Sequence, residues 1–482
     1  MKKVVKSLLM ILLASVVLVG CKKEFTITVT SDNPEWGTVT GSGTYADGET
    51  AIIAAVPNAG YYFAGWNDGD RTNPRNVVVT ANATYIAYFT DQPGGGGGDN
   101  PNDPTTISGT IDANVTWPDR GLPVDYIIDG MLVIDGNALL TIDPGVTIMF
   151  TGVNGGIIVG DNAGLRMVGT ADKPIVFQGP SNNPNNGSWQ EIRIASTRSD
   201  NQFEYVQFLR GGSGDAPWDG VVHVLGKLSM KHCTVDGSLC NGVSCENSGY
   251  LSSFENNLVK NCSAYPLYYE WLGAPCKGLG TGNTFTNNVG GNLVFMAGSD
   301  VTMETENLTL PNPGYPYRMN GSMVIMGNKT FTIAAGNIIE IPSNNNVNVS
   351  DDVTFIANGT ASNPITFRCS ESGENWNGID FFSHKNNNSI TYCHITNCGT
   401  NDGYGENDCL YIRNGSKLTL SNNTFGPSAY YGIAVEFVED LVNVTHSNNT
   451  YTSCAAGNVY IEVGGTYNGT EYESGQVLND LP

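Results

Sequence analysis

From residue 107 onward the chain is built on apolar runs of three or four residues separated by polar turns, and this repetition restricts its fold more than any other feature. Leu132-Val133-Ile134, Leu140-Thr141-Ile142, Val146-Thr147-Ile148, Ile157-Ile158-Val159, Ile175-Val176-Phe177 and Tyr205-Val206-Gln207-Phe208 are each too short for a buried helix. Their alternation favours strand. Asn-rich turns punctuate the rest, at Asn256-Asn257, Asn287-Asn288, Asn344-Asn345-Asn346, Asn422-Asn423 and Asn448-Asn449. Asparagine tolerates left-handed backbone angles, and asparagines stacked on successive coils can hydrogen-bond through their amides. A right-handed parallel β-helix accounts for strands, turns and asparagines together, so an all-β fold is expected.

A duplication reinforces this reading. Tyr126 to Phe150 aligns without a gap to Tyr317 to Ile341, with Gly130, Val133, Ile134, Gly136 and Asn137 meeting Gly321, Val324, Ile325, Gly327 and Asn328. Further along, Trp189 meets Trp376, Tyr205 meets Tyr392 and Cys262 meets Cys454. The helix over 107–482 is therefore two related halves, about 107–310 and 311–482, lying either end to end or side by side. The pattern running from Leu140-Thr141-Ile142-Asp143-Pro144-Gly145 through Gly169-Thr170-Ala171-Asp172-Lys173-Pro174 to Trp189 resembles the pectate-lyase-like β-helix lipoproteins of Bacteroidetes. That resemblance implies the fold and leaves the activity open, because the superfamily spans lyases, hydrolases, esterases and proteins without known catalysis.

Residues 25–90 read as a separate β-rich module. Gly37-Thr38-Val39, Gly43-Thr44-Tyr45, Ala55-Val56-Pro57-Asn58, Gly60-Tyr61-Tyr62-Phe63-Ala64-Gly65-Trp66 and Asn73-Pro74-Arg75 resemble the divergent internalin-type B-repeat of bacterial surface proteins. Trp66 is expected in its core rather than on a ligand platform. Residues 91–106, with five consecutive glycines and an Asp/Asn/Pro tract, have the composition of a flexible linker.

The first 20 residues carry Lys2, Lys3 and Lys6 ahead of the apolar run Leu8–Val19. That run is shorter than the roughly 20 residues of a spanning helix and reads as a signal peptide. Leu18-Val19-Gly20-Cys21 resembles the lipobox of bacterial lipoproteins, which implies a lipid on Cys21, a tether over 21–24 and an outer-membrane or surface-exposed location. Each buried methylene of such a lipid contributes about 0.8 kcal/mol, so two or more chains hold a protein firmly on the membrane.

Forty-six acidic residues against 23 basic ones, a net charge of −23, argue against nucleic acid or an anionic surface as partner. Of eleven cysteines, ten remain after Cys21, an even number that permits disulfides in an exported chain. Cys233, Cys240, Cys245 and Cys262 can bridge across coils or remain buried thiols; Cys245 meets Val435 in the duplication and Cys393 meets Val206, as inward-facing thiols would. No CxxC pair suggests a metal or redox site, and His223, His232, His384, His394 and His446 lack metal-ligand spacing.

No catalytic motif is recognisable. Asp351-Asp352, the one Asp-Asp pair, lies in an Asn-rich turn without the companion runs of a polygalacturonase, and Arg193, Arg210 and Arg413 are candidate lyase bases outside any lyase motif. Two loops at equivalent places stand out. One carries Asp215, Trp218 and Asp219, the other Asp402, Tyr404, Glu406 and Asp408. An aromatic face with carboxylates suits a sugar, and clustered oxygens suit Ca²⁺; solvated loops with the aromatic packed on the coil beneath are the plainer alternative. The stretch Tyr265-Pro266-Leu267-Tyr268-Tyr269-Glu270-Trp271 offers a second aromatic patch, or core. The expected function is a membrane-tethered β-helix that binds a glycan or a surface protein without catalysis. Polysaccharide lyase or hydrolase, and structural adhesin without a pocket, are the alternatives.

Overall fold

The computed structural model describes residues 22–68, 70, 72–91, 104–214, 218–399 and 408–482. Cys21, the signal peptide, most of the linker, Asp215, Asp402, Tyr404 and Glu406 lie outside them. The chain divides into two units. The first is a β module of a four-stranded and a three-stranded sheet. Its core gathers Ile27, Val29, Ile53, Ala87, Phe89 and Trp66. Trp66 is 2% exposed and its indole donates to the Thr72 carbonyl at 3.0 Å, which makes it a core residue.

The second unit is a parallel β-solenoid. Strands of two to seven residues stack coil upon coil, and alternate residues point inward. On one face Ile134, Val159, Ile194, Val224, Cys245 and Tyr269 form such an inward column, all essentially sealed from solvent. Parallel strands wound around one core need apolar residues on the inward side and short turns at the corners, which is what triplets between Asn and Gly supply.

The two halves form one continuous coil, end to end. A single fourteen-stranded sheet runs from Thr110–Ile111 to Thr450–Tyr451, while the other two faces of the first half end at Tyr250–Glu255 and Thr284–Thr286. New sheets begin at Asp300–Met303 and Leu308–Leu310, so the change of partners precedes residue 311. The duplication is offset by one face. Tyr126–Ile128 lies in an eight-stranded sheet, whereas its equivalent Tyr317–Met319 lies in the shared one. In the first half the shared sheet takes the second strand of each coil; in the second half it takes the first. The repeat is not a whole number of coils. Equivalent residues nevertheless keep equivalent roles: the indoles of the buried Trp189 and Trp376 donate to the Leu209 and Thr396 carbonyls at 2.8 and 2.9 Å.

The Asn-Asn pairs divide their labour. The first residue takes the left-handed conformation that turns the corner, at Asn256, Asn287, Asn422 and Asn448. The second points inward and links coils. Asn257 accepts from the Cys233 amide and donates to Met230 O and Asn283 Oδ1, and Asn423 does the same with Cys393, Ile390 and Asn449.

The possibility of bridges among Cys233, Cys240, Cys245 and Cys262 is not realised. All four are free and buried, and burial pushes the Cys233 thiol up to about 12 and Cys240 to about 11. Such thiols are poor nucleophiles and pack as small hydrophobes. Among the described residues the disulfide is instead Cys398–Cys409, a pair the sequence did not single out.

Candidate functional site

The outward side of the shared sheet carries a polar and aromatic strip. Successive coils place Arg193, His223, Ser244, Tyr268, Phe295, Arg318, Glu340 and Arg368 in register. At about 4.8 Å per coil the strip runs roughly 34 Å. Outward residues of a solenoid face are ordinarily solvated, yet His223 is 4% exposed, Glu340 5% and Tyr268 8%. Tyr265 lies along the entry side of the strands and stacks on Phe295 at 4.0 Å. Glu246, Asn247 and Glu270 follow the strands on the exit side, where the Asn247 amide donates to Glu270.

A buried ionic cluster forms the first part of the strip. His223 Nδ1 and Glu191 Oε2 are 2.9 Å apart, and Glu191 is also held by Arg193 at 2.6 Å. His223 Nε2 faces Glu246 Oε1, again at 2.9 Å. Burial raises the Glu246 carboxyl above its ordinary range, opposed by His223 and aided by Glu270 and Asp219. Burial also pushes the Tyr268 hydroxyl up to about 12. Toward the other end, Glu340 is clamped between Arg318 and Arg368 at 2.8 and 2.6 Å.

The equivalent place in the second half keeps the polarity and changes the groups. Asp380 and Tyr411 are in register; Arg413 grips Asp380 at 2.7 and 2.9 Å and lies over the Tyr411 ring at 4.1 Å. The Tyr411 hydroxyl bonds Glu462. Beside this group a cleft of about 890 Å³ is lined by Glu304, Asn348, Asp351, Asp352 and Phe382. Asp351 and Asp352 are exposed turn residues, and Lys385 pairs with Asp352 at 3.0 Å. The acids of the cleft are exposed turn residues, whereas the charges of the shared face are buried and held by one another, which marks the more built site.

The loop residues expected to hold a ligand are only partly brought together. Trp218 is 47% exposed, and Asp219 reaches the His223–Glu246 group. Asp408 does not face a loop surface. It is 1% exposed, inside the coil wall beside the disulfide, with Oδ1 accepting the Tyr431 amide at 3.2 Å and Oδ2 sealed without a partner. Of the second aromatic patch, Tyr269 is core, while Tyr265 and Tyr268 join the strip. Arg193 and Arg413 are committed to carboxylates rather than poised as bases. Arg210 takes a left-handed conformation within the strand Val206–Gly211.

His223 and Glu191 were not singled out as a pair. They stand on neighbouring coils 32 residues apart, and coil length varies too much for spacing to reveal that they are neighbours. The other described histidines fit the strand or turn reading: His232 stacks on Tyr205, while His384 and His446 meet backbone carbonyls.

Among the described residues no helix is long and apolar enough to cross a membrane. No curated protein and no solved structure matches the chain. Residues 27–93 match the divergent InlB B-repeat domain, and residues 109–217 match the pectate-lyase-like β-helix domain. The second match ends near Trp218, but the shared sheet carries the same coil on to residue 451. The chain thus joins a module similar to the divergent InlB B-repeat to a parallel β-solenoid whose first coils are similar to the pectate-lyase-like β-helix domain.

Proposed function

We propose that this is an envelope lipoprotein, tethered through Cys21, whose β-helix binds an extended glycan along the shared face. The observation that carries the reading is the strip itself. A block of rings at Tyr265, Tyr268 and Phe295 lies along the coil axis between the His223 carboxylates and the Arg318–Glu340–Arg368 group, over a length suited to several sugar units. Rings pack the apolar side of a sugar and the charged groups take its hydroxyls. The B-repeat module and the linker then serve as a stalk. Glycan rather than nucleic acid fits the net charge of −23.

The buried Glu191–His223–Glu246 group favours one second reading, a carbohydrate-active enzyme, because acid–base cleavage needs carboxyl groups of unequal character. One assay separates the two. The chain lacking its first 21 residues is passed over a glycan array, with and without Ca²⁺, and scored for retention and for released oligosaccharides. Retention without products is expected, and Trp218→Ala combined with Phe295→Ala is expected to weaken it at least tenfold. Retention that ignores both substitutions would remove the strip as the binding face; released products would replace binding by catalysis.

A further inference from the structure

The His223 cluster has the anatomy of a metal site. His223 is nine-tenths buried and its Nδ1 is held by Glu191, itself anchored by Arg193. A carboxylate on Nδ1 orients the ring and aims Nε2 at Glu246 and Asp219, the arrangement that metal-binding histidines use. Nε2 makes no well-formed hydrogen bond. It lies 2.9 Å from Glu246 Oε1, yet both atoms are sealed from solvent and neither meets hydrogen-bond geometry. One oxygen of Asp219 completes the set, and the three donor atoms lie within 4.8 Å of one another. Two donors each 2.0–2.1 Å from a tetrahedral ion stand roughly 3.3 Å apart, so Nε2 and Oε1 need part by only a few tenths of an ångström, while the Asp219 oxygen closes by at most about 1.5 Å, a side-chain rotation.

Charge points the same way. Three carboxylates, Glu191, Glu246 and Asp219, gather at His223 in a largely buried place, and a divalent cation offsets the repulsion among them. The donor set selects among cations. Ca²⁺ takes six to eight oxygens and has little use for an imidazole, whereas one nitrogen with two carboxylates suits Zn²⁺ and its neighbours and leaves a coordination position open.

We propose that Asp219, His223 and Glu246 bind one divalent transition-metal ion of the Zn²⁺ class, with Glu191 as the positioning residue of His223. The site stands whether or not the strip holds a glycan. In the second half Tyr411 takes the place of His223, so a single site per chain is expected.

The test is metal binding by the purified protein after chelator treatment and dialysis, measured by calorimetry with ZnCl₂ and by elemental analysis, with CaCl₂ in parallel. One equivalent of Zn²⁺ is expected, with an affinity that falls at least 100-fold in His223→Gln. Co²⁺ is expected to give a visible ligand-field spectrum that this variant abolishes. Glu340→Gln, on the same strip, is expected to keep both signals. Circular dichroism checks that His223→Gln is folded; if it is not, the half-exposed Asp219→Asn replaces it, with a loss of at least tenfold expected. Glu191→Gln leaves all three ligands in place and is expected to weaken binding 10- to 100-fold. No saturable Zn²⁺ binding, binding indifferent to His223 and Asp219, or binding of Ca²⁺ alone overturns the proposal.

Discussion

Asn423→Ala is expected to destabilise the β-helix by about 3–5 kcal/mol, while Asn422→Gly, one residue away, changes its stability by less than about 1 kcal/mol. Asn423 is 1% exposed and its amide closes three bonds: it accepts from the Cys393 amide at 2.8 Å and donates to Ile390 O at 2.8 Å and Asn449 Oδ1 at 3.1 Å. Alanine leaves a buried N–H and a buried C=O without partners. Each such loss costs about 1–3 kcal/mol, and the losses are not fully additive. Asn422 does different work. Its φ of 56° turns the corner, and glycine adopts that conformation without strain. Coils interact chiefly with their neighbours, so the damage is expected to be local. Hydrogen exchange at the Cys393 and Asn423 amides, together with denaturant midpoints, measures it. Equal stability of the two variants would mean that the ladder contributes no more than the turn.

These adjacent asparagines also show how much of the fold was legible in the sequence. Triplets, Asn pairs and the duplicated blocks pointed to a parallel β-helix because each reports a local requirement: an inward side chain, a left-handed corner, an amide spanning one coil. The inward orientation of Cys245 and Cys393 followed from Val435 and Val206 at the matching positions, all four buried. The one-face offset between the halves was not legible. It depends on how many strands lie between equivalents, and the strands that close the junction, such as Thr284–Thr286, carry no signal of which sheet they join.

The site was legible only in part, for a related reason. Asp219 and Trp218 drew attention as an acidic aromatic loop, but their partner His223 looked like an ordinary strand residue. Its environment is made by Glu191 from the preceding coil and Glu246 at the end of the next strand, with no fixed spacing to join them. The disulfide escaped notice likewise: Cys398 and Cys409 are close in sequence, but the pairing depends on a coil wall that brings them within 5.1 Å between Cα atoms. Burial reversed the reading of Asp408, because composition marks an acidic loop without marking which acid faces inward.

Asp408→Asn is expected to leave stability unchanged near pH 4 and to raise it increasingly as the pH climbs, until the advantage levels off above about pH 8. Burial is the main cause of the raised Asp408 carboxyl, which titrates at about 8 in the folded chain, with nearby Glu462 adding to the shift and the Tyr431 amide opposing it. The hydroxyls of Tyr431 and Tyr460 and the thiol of Cys454 also face this charge. In the unfolded chain the same carboxyl ionises near 3.9. A folded pKa above the unfolded one means that the native state holds a proton that the unfolded state releases. The stabilising contribution is therefore complete below about pH 4 and is lost as the pH rises through about 8. At about 1.4 kcal/mol per pH unit the full loss is on the order of 5 kcal/mol. Asparagine has the shape of the protonated acid, keeps an oxygen for the Tyr431 amide and cannot ionise. Thermal melts of both proteins between pH 4 and 9.5 check this; a gap that is flat with pH, or that closes as the pH rises, would show that Asp408 is charged in the native coil. An uncharged Asp408 at neutral pH has a functional consequence as well. It supplies no anion for Ca²⁺ or a sugar hydroxyl, and the acids able to do so in the described coil lie on its outer faces.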